Sequence, residues 1–305
     1  MAASALSPAV VAAIDDLALA ARLVVEGTRV GEHRSPLQGF STEFRQHRPY
    51  QQGDDLKYLD WKAYARTDRL YTRQFRETTN LAAMLVVDTS ASMAFPAEGV
   101  SKFRYAAIIA AALAHVLTTH GDTVGLLSSV DDQWSYLPPR GGPLHRRTLI
   151  NQIDQWTPAG QFDAPRAIER GAELLKRRGV IIVLSDLYEH EEETRRALRR
   201  AQRRGHDVVV WHVMAPEERT LPVTADRTFV DLESGAERVI DPRTARAAYA
   251  ASFSAFLERW ARSSQQDGID YALVSTDEAP DRALRRLLVQ RSRRLHADVG
   301  DAGVR

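Results

Sequence analysis

The chain has 305 residues and no cysteine. Disulfide bridges, thiolate metal sites and cysteine nucleophiles are therefore excluded. The lack of cysteine fits a reducing compartment, and we expect a cytoplasmic location.

Long apolar runs are also missing. No stretch reaches the roughly 18 uninterrupted apolar residues that a membrane span needs, so none is expected. The first residues, MAASALSPAVVAAIDDLALAARLVV, lack the positive start of a signal peptide, and Asp15 and Asp16 interrupt the apolar run. The spacing of Val10, Ile14 and Leu17 instead predicts an amphipathic N-terminal helix within residues 1–27.

Neither sign of charge is in excess, since 41 basic and 40 acidic side chains give a net charge of +1. This balance argues against a dedicated nucleic-acid-binding protein, which needs a clear cationic surplus. One basic run, RRALRRAQRRG at 195–205, follows the acidic residues Glu191 to Glu193. We interpret the run as a solvated helix face supported by ion pairs, and we expect no nucleic-acid partner.

Several catalytic signatures are absent as well. The sequence has no phosphate-binding loop, no G-x-G-x-x-G and no G-x-S-x-G elbow. The segment HEEET at 190–194 lacks the second histidine of a zinc-protease helix, so no zinc site is predicted. His212 lies within the apolar strand DVVVWHV and is predicted to be a hydrogen-bonded core residue.

What the chain does contain is an alternation of apolar strands and helices after residue 80. Residues 28–80 are polar and aromatic, and they predict a β-rich accessory segment in which LYTRQF is a strand. Residues 81–295 predict an α/β domain with a mostly parallel sheet and helices on both faces. Within it, FVDLESGAERVID predicts a hairpin, and residues 296–305 are expected to form a flexible tail.

Oxygen-bearing side chains follow two of the predicted strands. Asp88, Ser90 and Ser92 follow LAAMLVV, and Asp186 follows VIIVLS. Ligands collect beyond the carboxyl ends of parallel strands, so if these two strands are neighbours, both aspartates are expected to overlook one crevice. One interpretation is a site for Mg²⁺ or Mn²⁺, which prefer oxygen ligands. The other is that Asp88, Ser90 and Ser92 cap the helix that starts near Ser101.

These motifs also carry a resemblance. DTSASM with the later LSDL resembles the von Willebrand factor A domain and its metal-ion-dependent adhesion site. EFRQHRPYQQGDDLKYLDWKAYARTDRLYTRQF followed by D-x-S-x-S-M resembles the bacterial family called domain of unknown function 58, over roughly residues 25–291. The resemblance implies a three-layer, Rossmann-like α/β fold and a non-catalytic role in protein interaction. It further implies a MoxR-type AAA+ ATPase as partner, in a chaperone or assembly system.

The resemblance also assigns site residues. Asp88, Ser90 and Ser92 match the first cluster of the adhesion site, and Asp186 matches its late aspartate. The family's loop threonine has no direct counterpart in TPAGQFDAP, where the candidate substitutes are Thr157, Gln161 and Asp163.

A polar and aromatic cluster lies in the accessory segment. Two interpretations are open: a docking surface rich in the residue types of interface hot spots, or an internal brace of ion pairs. The second is favoured. Its members are Arg48, Tyr50, Asp54, Asp60, Trp61 and Arg66.

Two other functions compete with the interaction module. A metal-dependent phosphoesterase would use Asp88 and Asp186 to hold Mg²⁺, but no general base with clear spacing is visible. A purely structural scaffold with a decayed metal site is the third interpretation.

Overall fold

The computed structural model describes residues 7–29, 46–49, 70–74, 81–131, 133–220, 227–230, 232, 237–240 and 242–301. The helices within these ranges are α1 (Pro8–Ala12), α2 (Leu17–Arg29), α3 (Lys102–Thr119), α4 (Pro143–Asp154), α5 (Ala164–Leu174), α6 (Glu191–Arg203), α7 (Pro216–Thr220), α8 (Pro242–Gln266) and α9 (Pro280–Asp301). The strands are β1 (Gln46–Pro49), β2 (Tyr71–Gln74), β3 (Ala82–Val87), β4 (Thr123–Val130), β5 (Gln133–Arg140), β6 (Val180–Ser185), β7 (Asp207–Met214), β8 (Arg227–Val230), β9 (Glu237–Ile240) and β10 (Asp270–Ser275).

The main sheet has six strands in the order β10-β7-β6-β3-β4-β5. The five strands from β10 to β4 run parallel, and β5 pairs antiparallel with β4. β3 therefore lies in the middle, with β6 on one side and β4 on the other. The mostly parallel sheet predicted from the sequence is confirmed.

Alternate residues of each central strand pack into two separate hydrophobic cores, one on each face of the sheet. On β3, Leu85 and Val87 face a core built with α1, α2, α3, α4 and α9. Met84 and Val86 face the opposite core, built with α5, α6 and α8. Burial on both faces explains why these strands are continuous apolar runs. The result is the predicted three-layer α/β fold.

The N-terminal region forms two helices where the sequence predicted one. α1 ends at Ala12, and α2 begins at Leu17. Asp16 ends the first apolar run because its carboxylate accepts hydrogen bonds from the backbone N–H groups of Ala18 and Leu19, which caps α2. Val10, predicted to lie on the buried face, is 64% exposed.

Several local predictions hold. LYTRQF contains β2, which pairs antiparallel with β1, and the hairpin around Ser-Gly is formed by β8 and β9. His212 is fully buried, and its Nδ1 lies 2.7 Å from the hydroxyl of Tyr271. At the C-terminal end, α9 continues to Asp301, past the boundary expected at residue 295. No glycine or proline stands between Leu295 and Gly300 to stop it.

The basic run on α6 is a solvated face held by ion pairs, as predicted. Arg196 pairs with Glu192 and Glu193 of the same helix. Arg200 pairs with Glu169 of α5, and Arg199 pairs with Asp267 beyond α8. Within the described residues, no helix is both long enough and apolar enough to cross a membrane.

Gly179 marks a close backbone approach at the start of β6. A Cβ atom placed there would lie 2.3 Å from the carbonyl oxygen of Ala82. We expect Gly179→Ala to lower the free energy of unfolding by about 2 kcal/mol, because backbone must move to admit the methyl group. Urea denaturation measures the change.

Gly141→Ala is the matched control, since its added Cβ would meet nothing closer than 3.5 Å. A change of Gly179→Ala no larger than that of Gly141→Ala would contradict the prediction.

Candidate functional site

Three carboxylates lie at the same end of the sheet, each just beyond one of three neighbouring strands. Asp88 follows β3, Asp186 follows β6, and Glu218 lies on α7 just beyond β7. The Asp88 N–H donates to the Leu184 carbonyl at 2.9 Å, which continues the pairing of β3 with β6. Asp88 and Asp186 therefore meet at one end of the sheet, as predicted, and both are buried there.

Hydroxyl groups link the two aspartates. The Oγ atoms of Ser90 and Ser92 are 3.0 Å apart, and the Ser92 hydroxyl donates to Asp186 Oδ2 at 2.8 Å. The Ser90 N–H donates to Asp88 Oδ1 at 2.9 Å, and the Ser185 hydroxyl donates to Asp88 Oδ2 at 2.5 Å. All four predicted core residues of the site thus belong to one hydrogen-bonded cluster.

The capping interpretation does not hold for the main helix. α3 begins at Lys102, and the hydroxyl of Ser101 accepts a hydrogen bond from the Arg104 N–H. Ser101 is therefore the capping residue. The described side-chain partners of Asp88, Ser90 and Ser92 lie within the site: they are one another, Ser185 and Asp186.

A buried lysine joins the cluster. Lys102, the first residue of α3, is 1% exposed. Its ammonium nitrogen lies 2.7 Å from Asp186 Oδ2 and 2.5 Å from Glu218 Oε1. It also lies 5.0 Å from the centre of the Tyr188 ring, a distance typical of a cation–π contact.

Glu218 is held in place from two directions. Its second carboxylate oxygen, Oε2, accepts a hydrogen bond from the Ala215 N–H at 2.7 Å. Its backbone carbonyl accepts a hydrogen bond from the hydroxyl of Tyr249, on α8, at 2.6 Å. The acceptor that faces Lys102 is therefore fixed by β7 and α8 together.

Burial and neighbouring charges affect the pKa values of Asp88 and Lys102 differently. Burial, followed by the charge of Asp186, raises the pKa of Asp88 to about 7, although the hydrogen bonds from Ser185 and Ser90 oppose the rise. Burial alone would lower the pKa of Lys102, but Asp186 and Glu218 outweigh it and leave that pKa above its ordinary value. Lys102 thus stays charged, whereas no cationic side chain among the described residues pairs with Asp88.

Backbone strain accompanies the site. Leu187, directly after Asp186, is buried and has a φ angle of +56°. This left-handed conformation is rare for a bulky residue and costs about 1–2 kcal/mol. Its N–H donates to the Ser185 hydroxyl at 3.0 Å, the same hydroxyl that binds Asp88. Strain of this kind clusters at functional sites.

The loop with the three candidate threonine substitutes lies against the first cluster through its backbone. The Ala159 N–H donates to the Thr89 carbonyl, and the Ala91 N–H donates to the Gly160 carbonyl.

Asp163 caps α5 by accepting from the Arg166 N–H, and the Gln161 N–H donates to Asp131. Thr157 is exposed. None of the contacts described for Thr157, Gln161 or Asp163 involves Asp88 or Asp186, so their role as ligands stays a prediction.

The accessory cluster lies largely outside the described residues. Arg48 belongs to β1, where its backbone pairs with Thr72. The other five members fall outside the described ranges, and both interpretations of the cluster stay predictions. They are Tyr50, Asp54, Asp60, Trp61 and Arg66.

Sequence reasoning missed Lys102 and Glu218. A signal existed for each. Lys102 is a charged residue at the head of an almost wholly apolar helix, directly after the candidate site. Glu218 follows an apolar strand by a few residues, as Asp88 and Asp186 do, and the rule of strand carboxyl ends applies to it equally.

The donor set fits a small, hard divalent cation. Its atoms are carboxylate and hydroxyl oxygens, the ligands that Mg²⁺ prefers. Adjacent ligands of an octahedral Mg²⁺ are about 3.0 Å apart, given metal–oxygen distances of about 2.1 Å. Ser92 lies 3.0 Å from Ser90 and 2.8 Å from Asp186, so a cation that replaced these two hydrogen bonds would not require the oxygens to move far. Within the described residues, no group of three or more His, Asp or Glu side chains could hold a metal, so the serine hydroxyls would be needed.

Comparison with known proteins identifies a family match. The model of the family described as "Protein of unknown function DUF58" matches residues 46–256. Uncharacterized proteins of Mycobacterium tuberculosis and Mycobacterium bovis are each 32% identical over 240 residues. The aligned region covers 77% of this chain and 75% of each relative.

Solved structures with a similar course of the chain have low sequence identity. They include the conserved hypothetical protein BatB of Bacteroides thetaiotaomicron, with 16% identity, 70% of this chain and 99% of that chain covered, and a TM-score of 0.45. An aerotolerance-related membrane protein of Bacteroides fragilis has 17% identity, 69% and 99% coverage, and a TM-score of 0.46. The von Willebrand A domain of SpRpn10 has 12% identity, 68% and 94% coverage, and a TM-score of 0.39.

Proposed function

We propose that this chain, which belongs to the DUF58 family of unknown function, is a non-catalytic protein-interaction module with a divalent-cation site. The observation that carries the proposal is the convergence of Asp88, Ser90, Ser92 and Asp186 in one hydrogen-bonded cluster at the carboxyl end of the sheet. An interaction site of this kind needs a small set of fixed polar groups and does not need a nucleophile.

The residues that would hold Mg²⁺ or Mn²⁺ are Asp88, Ser90, Ser92 and Asp186. Four protein ligands leave room in a six-coordinate shell. When bound, the cation would supply an open coordination position for an acidic side chain of a partner. The chain's own residues hold the ligand oxygens in place: β3 and β6 fix the aspartates, and the Ser185 hydroxyl orients Asp88.

The described contacts of the two serines favour a non-catalytic role. The hydroxyl partners of Ser90 and Ser92 are each other and Asp186, and no histidine base takes part. The Asp186 carboxylate that accepts from Ser92 is itself bound by the Lys102 ammonium group. Turnover of a generic phosphoester by the purified chain, lost in Asp88→Ala, would instead favour the phosphoesterase.

We propose a MoxR-type AAA+ ATPase as the partner and the cytoplasm as the location. The support is the resemblance of the accessory segment and of D-x-S-x-S-M to a family that often accompanies such ATPases. The chain would then present the carboxyl end of its sheet to the ATPase in a chaperone or assembly role.

The test is a pull-down of a MoxR-type ATPase from the same genome by the tagged chain. We expect capture in the presence of Mg²⁺ and at least a 10-fold loss of captured ATPase with EDTA or with Asp88→Ala, since either change removes the cation bridge. Asp154→Ala, on the surface of α4, is the control and should capture the ATPase as the unchanged chain does. Equal capture under all conditions would remove the cation-bridged mechanism.

The scaffold without metal is the second candidate, and one observation favours it. Lys102 already places a positive charge on Asp186 and Glu218, so the folded chain does not depend on an added cation there. Isothermal titration calorimetry that shows no heat with Mg²⁺ or Mn²⁺ at millimolar concentration would support the scaffold.

A further inference from the structure

We propose that Lys102 is a tethered cation that competes with the divalent cation for Asp186. The metal-free chain would be held by the lysine, and metal binding would require the ammonium group to leave Asp186. The inference deepens the proposed function and rests on it.

The competition follows from the use of one oxygen. Asp186 Oδ2 accepts a hydrogen bond from the Ser92 hydroxyl at 2.8 Å and another from the Lys102 ammonium at 2.7 Å. A divalent cation bound to Asp186 and Ser92 would replace the hydrogen bond between these two residues and would lie a few ångströms from the ammonium group. The two positive charges would repel each other at that distance, so the cation must displace the ammonium group from Asp186.

Glu218 gives the displaced ammonium a second acceptor. Its Oε1 lies 2.5 Å from Lys102 Nζ, and its Oε2 is anchored by the Ala215 N–H. Lys102 would not become an unpaired buried charge, which would be strongly unfavourable. Glu218 of the short helix α7 would thus remain the partner of the ammonium group when Asp186 binds metal.

Tyr188 connects this exchange to the molecular surface. Its ring lies 5.0 Å from the Lys102 nitrogen, and the residue is 38% exposed. The ring stacks on Phe256 of α8 with centroids 5.5 Å apart. A movement of the ammonium group away from Asp186 would change its cation–π contact with Tyr188. Because the Tyr188 ring is partly exposed, a bound partner could contact it directly.

A variant of equal charge provides the test. In the unchanged chain, the carboxylates of Asp88, Asp186 and Glu218 and the ammonium of Lys102 sum to a formal charge of −2. The double variant Lys102→Met with Glu218→Gln keeps Asp88 and Asp186, again a formal charge of −2, and has no tethered cation. We expect it to bind Mn²⁺ about 10- to 100-fold more tightly by isothermal titration calorimetry, because no buried ion pair must break.

Two further variants make the outcomes distinct. Lys176→Met changes an exposed lysine and should bind Mn²⁺ as the unchanged chain does. Adding Asp186→Asn to the double variant should abolish the tight binding and so place the metal at this site. The melting temperature of each variant with and without Mn²⁺ gives a second readout of binding that also reports folding.

The results separate the two proposals. Tighter binding by the double variant supports the tethered cation. Equal affinity of the double variant and the unchanged chain, with binding lost in Asp88→Ala, would overturn the tethered cation and leave the cation site standing. No Mn²⁺ binding by any folded variant would overturn both.

Discussion

Replacing Lys102 by methionine in metal-free buffer is expected to lower the free energy of unfolding by about 3–5 kcal/mol. The substitution keeps most of the side-chain volume but removes a charge that lies 2.7 Å from Asp186 and 2.5 Å from Glu218. Breaking a buried ion pair by removing one partner typically has an effect of this size, since the remaining charges are left uncompensated. Guanidinium denaturation of the EDTA-treated chain at pH 8 measures it.

The double variant tests the reason for this loss. Without Lys102, the carboxylates of Asp186 and Glu218 have lost their shared counter-charge. Adding Glu218→Gln to Lys102→Met removes one of them, and we expect it to restore about half of the decrease in the free energy of unfolding. Lys176→Met should leave stability within about 0.5 kcal/mol of the unchanged chain, as surface substitutions usually do. If Lys102→Met is as stable as Lys176→Met, the ion pairs do not hold the site together.

Replacing Asp122 by asparagine is expected to change the stability by about 2 kcal/mol more favourably at pH 8 than at pH 4. Asp122, between α3 and β4, is 1% exposed, and its Oδ1 accepts a hydrogen bond from the Leu81 N–H at 3.1 Å. Its Oδ2 is buried and has no hydrogen-bond partner among the described residues. Burial raises the pKa of Asp122 to about 6.

The sign follows from proton linkage. Between the unfolded pKa of 3.8 and the folded pKa of about 6, the folded chain binds the extra proton, so stability falls as pH rises through this window. Asparagine keeps an acceptor for the Leu81 N–H and carries no charge, which removes the fall. Urea denaturation of both proteins at pH 4, 6 and 8 measures the difference.

Asp154→Asn is the control for this pH profile. Asp154 is a surface residue whose side chain is 46% exposed. The variant should follow the pH profile of the unchanged chain. A stability difference between Asp122→Asn and the unchanged chain that is the same at pH 4 and at pH 8 would show that the Asp122 charge is not the cause.

The sequence predicts the placement of Asp88 and Asp186 because their positions depend on a general property of parallel sheets. Both follow six-residue strands that are apolar except for Ser185, and the ends of neighbouring parallel strands meet at one edge. The neighbour relation of β3 and β6 was an assumption, since sequence alone does not give strand order. The resemblance supplied it.

Lys102 and Glu218 were not predicted because their roles depend on each other. A lysine in the first turn of a helix ordinarily reaches solvent, and only a facing pair of carboxylates makes its burial tolerable. Glu218 contacts the lysine from helix α7, 116 residues farther along the chain, a separation that no periodic pattern reveals. The break between α1 and α2 is a different case, since Asp16 is visible in the sequence and aspartate is favoured as a helix cap.

The edge strand β5 determines how copies of this chain can meet. It ends the sheet opposite β10, and it contains Pro138 and Pro139 in succession. Neither proline has a backbone N–H to donate to an incoming strand, and the register with β4 is interrupted between Leu137 and Arg140, where the two prolines lie. Trp134 on the same strand is engaged by Arg166, whose guanidinium lies 5.9 Å from the ring centre. A strand of a second copy is therefore hindered from pairing with the edge strand β5. This hindrance disfavours fibril-like association of the chain through that edge at high concentration.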